Sequence, residues 1–262
     1  MKLFHLSDLH IGKMLNGYSL RESQKNAFLQ ILKYAEEEKP DAILICGDIY
    51  DKSVPAGEAY TLFDWFLTEL SGRCPGTEIL IIAGNHDSPE RLAYGASFLA
   101  RHRIHIAALP PADRTEYLKQ VTLTDEWGPV HFYLLPFVKP SMVREIVGTR
   151  EDGTQHSYDE ALHLLIEREN IDTKERNVLV SHQFYLPAGK KAEDVERMES
   201  EICTVGNIDQ VSADILKKFD YAALGHIHKP MKVGSECVRY CGTPLACSVS
   251  EAGQEKGIIV VD

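Results

Sequence analysis

The chain has 262 residues, 44% hydrophobic and 26% charged, a balance ordinary for a globular protein. No apolar stretch approaches the roughly 18 residues that span a bilayer, and the first strand begins at Lys2 with no room for a secretory leader, so a cytoplasmic protein without membrane contacts is expected. A net charge of −11 argues against a large non-specific nucleic-acid surface on this chain by itself, and six cysteines without a C-x-x-C pair read as reduced thiols.

In chain order, Lys2–Ser7 reads as a buried strand, followed by a helix over Leu20–Lys39 with Ser19 and Glu22 at capping-box spacing and Pro40 as its stop. Asp41–Cys46 is a second strand, apolar throughout as when both faces are covered. The next helix, Gly57–Leu70, is apolar on more than one side (Tyr60, Phe63, Leu67 and Leu70; then Leu62 and Phe66), which predicts deep burial or a partner. Glu78–Ala83 is a third strand, and Ser88-Pro89 opens a helix running to Ala100. Tyr117–Leu123 and Val130–Leu135 read as a hairpin, Gly148–His156 as a polar loop, Tyr158–Glu169 as a helix and Asn177–Ser181 as a strand. Pro187–Glu201 reads as a mobile surface loop whose Gly189-Lys190-Lys191 misses the phosphate-loop pattern. A short helix at Val211–Lys218 and strands at Tyr221–Leu224, Val238–Cys241 and Gly257–Val261 complete the chain. Early βα alternation giving way to β-rich segments predicts an α/β fold, a two-sheet sandwich with helices outside.

Five of the apolar runs end within a residue or two of an Asp, Asn or His. LFHLS precedes Asp8 and His10, AILIC precedes Gly47-Asp48, ILIIA precedes Gly84-Asn85-His86-Asp87, NVLVS precedes His182, and YAALG precedes His226-Ile227-His228. The carboxyl ends of several strands thus converge on one pocket, where open α/β sheets place their sites. Asp8, His10, Asp48, Asn85, His182, His226 and His228 make a mixed oxygen–imidazole set without thiolate, suited to Mn²⁺ or Fe²⁺ and able to accept Zn²⁺. Seven ligands exceed one tetrahedral ion and fit two ions sharing a carboxylate. The spacing of Asp8 with His10, and of His226 with His228, puts each pair on one side of an extended segment. The glycines before Asp48, Asn85 and His226 allow sharp turns and close backbone approach to the ions. Two ions of this kind activate a water for in-line attack on a phosphoester. His86 stands outside the ligand set as the group that stabilises the transition state or protonates the leaving oxygen, with Asp87 orienting or charging it. His5, His102, His105, His131, His156 and His163 read as structural, Asp51 as a loop brace and Arg91 as a helix-surface residue.

The order D-x-H, G-D, G-N-H-D, H, G-H-x-H resembles the calcineurin-like metallophosphoesterase superfamily. SDLHIG, GDIYDKSVP, GNHDSPERL, YAALGHIHKP and the tail SEAGQEKG narrow the resemblance to the SbcD family, bacterial nuclease subunits of the SbcCD double-strand-break repair complex. That resemblance implies a four-layer αββα sandwich and a di-manganese centre, with Asp8, His10 and His228 on one ion, Asn85, His182 and His226 on the other and Asp48 bridging. It implies 3′→5′ exonuclease action on duplex DNA ends, endonuclease action on hairpins or single strands, and an SbcC-type ATPase partner. It further implies a homodimer through helices 57–70 and 90–100. Residues 1–262 are expected to form the nuclease domain alone, without the family's C-terminal DNA-capping and ATPase-binding parts. The alternatives are the same chemistry on cyclic nucleotides or phosphoproteins, or an inactive scaffold of the same fold.

Overall fold

The protein is described by a computed structural model over residues 1–187, 189, 201 and 209–262. Lys190, Lys191 and most of the loop expected at Pro187–Glu201, together with Cys203, lie outside the described residues. The first half of the chain runs through β1 (Leu3–Leu6), a hairpin of β2 (Met14–Leu15) and β3 (Tyr18–Ser19), α1 (Arg21–Glu38), β4 (Ala42–Cys46) and α2 (Gly57–Arg73). β5 (Glu78–Ile82), the short helices α3 (Pro89–Leu92) and α4 (Ala96–Leu99), β6 (Ile104–Ala107), β7 (Lys119–Asp125) and β8 (Gly128–Leu135) follow. The second half comprises α5 (Pro140–Val147), α6 (Tyr158–Glu167), β9 (Arg176–Ser181), β10 (Phe184–Leu186) and β11 (Gln210–Ser212). It ends with β12 (Tyr221–Leu224), β13 (Met231–Val233), β14 (Ser235–Tyr240) and β15 (Ile259–Val261).

Two sheets result, one ordered β15-β1-β4-β5-β6 and the other β13-β14-β12-β9-β8-β7. The inner strands of each are parallel, and β15, β13 and β7 run antiparallel at the edges. The apolar strands divide their residues by the two-residue period of a pleated strand. In the first sheet Phe4, Leu6, Ile43, Ile45, Ile79 and Ile81 pack against α1 and α2, around the stacked rings of Phe28 and Phe66. The alternate residues Leu3, Ala42, Leu44, Cys46, Leu80 and Ile82 meet Phe132, Leu134, Val178, Val180 and Ala223 of the second sheet. That sheet's outer face, with Leu135, Leu179, Ala222, Leu224 and Tyr240, packs on α5 and α6. Three apolar layers between four layers of secondary structure give the expected αββα sandwich, each fully buried Leu, Ile or Phe contributing about 1.5–3 kcal/mol of transfer free energy.

Local expectations fail where a tertiary contact or backbone geometry overrides them. Ser19 does not cap α1: it pairs in the β2–β3 hairpin, Leu20 occupies the N-cap, and the Ser19 hydroxyl accepts only from the Arg21 N–H. The helix expected from Ser88 to Ala100 is broken, because Gly95 at φ 75° leaves the helical region and separates α3 from α4. α5 was not anticipated, and the helix expected from Val211 begins as a strand beside β10. Most of the doubly apolar α2 is buried internally through Leu62, Phe63, Phe66 and Leu70, while Tyr60, Trp65 and Leu67 are half-buried. The five described cysteines are free thiols. Among the described residues no helix is long and apolar enough to cross a membrane.

Candidate metal centre

The carboxyl ends of β1, β4 and β5 deliver Asp8, His10, Asp48 and Asn85, and those of β9 and β12 deliver His182, His226 and His228. All seven sit together. Donor atoms of Asp8, His10 and His228 form one cluster, those of Asp8, Asp48 and His182 another, and those of His10, Asp48 and His86 a third, each within 4.8 Å. Asn85 joins through Oδ1, which lies 3.1 Å from His182 Nε2 and 2.9 Å from His226 Nδ1.

The extended segments expected at Asp8–His10 and His226–His228 are not what aligns these pairs. Asp8 (φ 52°), His10 (φ 44°), Asp48 (φ 50°) and His226 (φ 97°) all have positive φ, a conformation costing non-glycine residues about 1–3 kcal/mol each. Backbone bonds from Asp8 N–H to Gly47 O and from His10 N–H to Asp48 O, both 3.0 Å, hold the kinks. The glycines serve mainly as space. A Cβ on Gly84 would fall 2.1 Å from Asp48 Oδ1, one on Gly225 2.0 Å from the Cys46 carbonyl oxygen, and one on Gly47 2.4 Å from His182 Nδ1. Of the three, only Gly47 also has positive φ.

The hydrogen-bond pattern tests whether cations fit. His182 Nδ1 lies 2.6 Å from the Cys46 carbonyl and His228 Nδ1 3.3 Å from the Glu251 carboxylate, so in each ring Nδ1 carries a proton and Nε2 is the atom turned to the pocket. His182 Nε2 then faces Asn85 Oδ1, Asp48 Oδ2 at 3.4 Å and Asp8 Oδ1 at 4.0 Å, all acceptors. His228 Nε2 faces His10 Nε2 at 3.1 Å. Carboxylate and amide oxygens and inward-facing imidazole nitrogens thus share one buried pocket, a donor set that protons or positive ions can balance, and the residues fit divalent cations.

Without cations, protons do part of that balancing. Burial raises the Asp8 carboxyl, against the pull of His182 and His228. Burial also acts to raise Asp48, but His182, His10 and His86 outweigh it and hold the carboxyl well below the usual range. Burial lowers His182, yet Asp48 and Asp8 bring it up to about 9, whereas burial drives His10 well down. Such splitting of like groups marks a functional site.

His86 lies at the open side, its side chain 14% exposed and Nε2 3.9 Å from Asp48 Oδ2. Its N–H donates to Asp48 Oδ1 at 2.8 Å, and its ring stands edge-on to His10. The contact expected between Asp87 and the His86 ring is not the one formed. Both Asp87 oxygens accept backbone N–H groups, from Ile49 (3.1 Å), Tyr50 (3.0 Å) and Gly84 (2.9 Å). Burial and Asp48 push its carboxyl up to about 6 against those donors. The Asp51 carbonyl instead accepts from His86 Nδ1 at 2.9 Å, while the Asp51 carboxylate meets Lys13 Nζ at 2.8 Å. Asp51 is thus more than a loop brace, and nothing in the local sequence marks a carbonyl for that role. Phe137, also missed, sits half-exposed beyond β8 and stacks on His226 with an interplanar angle of 17°. The histidines read as structural have such places: His5 bonds Tyr221 and Leu224, His105 bonds Glu78, and His131 bonds Glu175.

A family model described as calcineurin-like phosphoesterase matches residues 1–230. The SbcD component of the nuclease SbcCD from Staphylococcus epidermidis is 34% identical over 264 aligned positions, which cover all of this chain and 66% of the relative. The chain therefore spans just under two thirds of that relative's length. Among solved structures, a dimetal phosphatase from Danio rerio aligns at a TM-score of 0.45 and 13% identity, covering 92% of this chain and 86% of that one.

Proposed function

The chain belongs to the calcineurin-like phosphoesterase family, and from that premise we propose that it is a divalent-metal-dependent nuclease of DNA double-strand-break repair. It acts as a 3′→5′ exonuclease on duplex ends and an endonuclease on hairpins or single strands. The observation that carries the chemistry is the convergence of the buried carboxylates, amide oxygen and imidazoles of Asp8, His10, Asp48, Asn85, His182 and His228 on one pocket. The observation that carries the substrate is similarity, along the whole chain, to a relative named a nuclease.

Asp8, His10 and His228 would hold one ion and Asn85, His182 and His226 the other, with Asp48 available to both. Two divalent ions, Mn²⁺ by the mixed carboxylate–imidazole set, would supply water activation and charge neutralisation for phosphoester hydrolysis. The protein's own groups orient and exclude. The Asp51 carbonyl fixes the His86 ring, leaving Nε2 directed towards the reacting phosphate, where a proton on it stabilises the transition state or passes to the leaving oxygen. Asp87 holds the turn that carries His86. Phe137 shields His226 from water.

An SbcC-type ATPase supplies the nucleotide dependence, and the complex works in the cytoplasm. A second copy of the chain packs on the groove of about 530 Å³ between α2 and α3–α4, lined by Tyr60, Leu67, Arg91 and Tyr94. Tyr94 is 88% exposed and Phe98 65%, large apolar surfaces for a contact of this kind. Sedimentation of Tyr94→Asp is expected to give monomers where the parent chain gives dimers; an unchanged dimer would place the contact elsewhere.

The deciding assay compares rates on a DNA hairpin, a blunt duplex, cAMP and a phosphopeptide in Mn²⁺, with and without EDTA. Cleavage of both DNA substrates, abolished by EDTA, is the expected result. Preference for cAMP or the phosphopeptide would sink the nuclease reading and keep the phosphoesterase one.

A further inference from the structure

The tail SEAGQEKG lies far along the chain from every candidate ligand except His226 and His228, and its Glu251 is 1% exposed. Burying a carboxylate requires compensation, and Glu251 receives it from five donors among the described residues. Oε1 faces His228 Nδ1 at 3.3 Å and accepts from Ser248 Oγ at 3.0 Å. Oε2 accepts from Thr243 Oγ1 at 3.1 Å and Cys247 N–H at 3.2 Å, and pairs with Lys256 Nζ at 2.6 Å. Lys256 Nζ also donates to the His228 carbonyl at 2.9 Å, and the His228 N–H donates to Glu201 Oε1 at 2.8 Å. The ring, carbonyl and amide of one histidine are each gripped, two of them by the tail.

We propose that Glu251 is the positioning residue of the metal centre's His228 ion, with Lys256 as its counter-charge: the C-terminal tail fixes the tautomer and aim of His228 from behind. This rests on the two-ion reading above. The carboxylate keeps the proton on Nδ1, so Nε2 presents its lone pair beside His10 Nε2 and Asp8, and such outer partners commonly control affinity.

Glu251→Gln is a directed test, because the amide has one acceptor. Three donors surround Oε2, so the Gln carbonyl turns to that side and its NH₂ group faces His228 Nδ1, where it cannot accept. The experiment is a Mn²⁺ titration of the full chain by electron paramagnetic resonance, with circular dichroism as a check of folding. The parent chain is expected to bind two ions. In the Gln variant one site weakens by about 10–100-fold while the other is unchanged, and the His228 Nδ1–H signal of the Zn²⁺-loaded, ¹⁵N-histidine protein moves. A folded variant with both affinities and that signal unchanged overturns the proposal. If the variant does not fold, Thr243→Val removes one donor to Glu251 without altering charge and is expected to weaken the same site by about threefold; equal affinities overturn the proposal there too. A parent chain that binds no divalent ion overturns the two-ion reading along with it, whereas two parent sites unaffected by either substitution overturn the tail's role alone.

Discussion

Replacing His86 with serine is expected to lower phosphodiester hydrolysis by about 10²–10⁴-fold, the range for a positioned acid–base group, while both ions stay bound. The expectation follows from its place. The candidate ligands with histidine side chains are 0–2% exposed at His10, His182 and His228, whereas His86 is 14% exposed and its Nε2 stops 3.9 Å from Asp48 Oδ2. It is therefore placed to meet substrate, and because its donor atoms also group with those of His10 and Asp48, metal content must be measured beside cleavage. The His86 N–H to Asp48 Oδ1 bond belongs to the backbone and survives the substitution, so Asp48 keeps its orientation. Single-turnover cleavage of a DNA hairpin, paired with metal content by mass spectrometry, separates the two effects. Normal cleavage would remove His86 from the chemistry; lost cleavage with lost metal would make it part of the cation cage.

Substituting Gly84 by alanine is expected to damage the site as severely by a different route. The added Cβ would fall 2.1 Å from Asp48 Oδ1 and 2.3 Å from the Asp48 backbone nitrogen. Neither atom is the free end of a flexible side chain. Asp48 must move, and with it the carboxylate oxygen that lies 3.4 Å from His182 Nε2 and 3.7 Å from His10 Nε2. Relieving such a clash typically costs about 1–3 kcal/mol of stability; here the loss of cation binding should exceed the loss of fold. Gly72→Ala is the matched control. Gly72 lies within α2 with nothing near its absent Cβ, so alanine should stabilise the protein by about 0.5–1 kcal/mol. Urea unfolding and Mn²⁺ titration of the two variants measure both quantities. A Gly84→Ala protein that binds two ions as the parent does would show that Asp48 has slack which the packing denies.

The convergence of the candidate ligands was legible because its signal is local: an apolar run followed at once by Asp, Asn or His marks a strand end in any fold that buries its sheet. The αββα layering was legible for a related reason, since Ala42–Cys46 and Glu78–Ile82 have no polar face to give to solvent. What escaped depends on contacts between distant segments. Asp87 follows His86 directly, yet its carboxylate is claimed by the N–H groups of Ile49 and Tyr50, 38 and 37 residues away. Asp51 acts through its carbonyl, which every residue possesses. Glu251 acts on a histidine 23 residues earlier, and its charge in an acidic tail looks like any solvated glutamate until its burial is known. Ser19 and Glu22 kept correct cap spacing, but hairpin pairing claimed Ser19 first.

The candidate ligands are divided between the two sheets, with Asp8, His10, Asp48 and Asn85 on one and His182, His226 and His228 on the other. The groups Asp8–His10–His228 and Asp8–Asp48–His182 draw on both sheets, so completing them needs the docking of sheet on sheet in folding, whereas His10–Asp48–His86 lies on the first sheet alone. His10 and His228 are 218 residues apart in sequence, and an ion held between them closes a loop of nearly the whole chain. At a concentration a hundred times its dissociation constant, each such ion would add about 2.7 kcal/mol to the folded state. The cations that equip the pocket for hydrolysis would thereby staple the sandwich shut, and the thickness of the apolar layer around Leu44 and Phe132 would set how far apart the staple's arms stand.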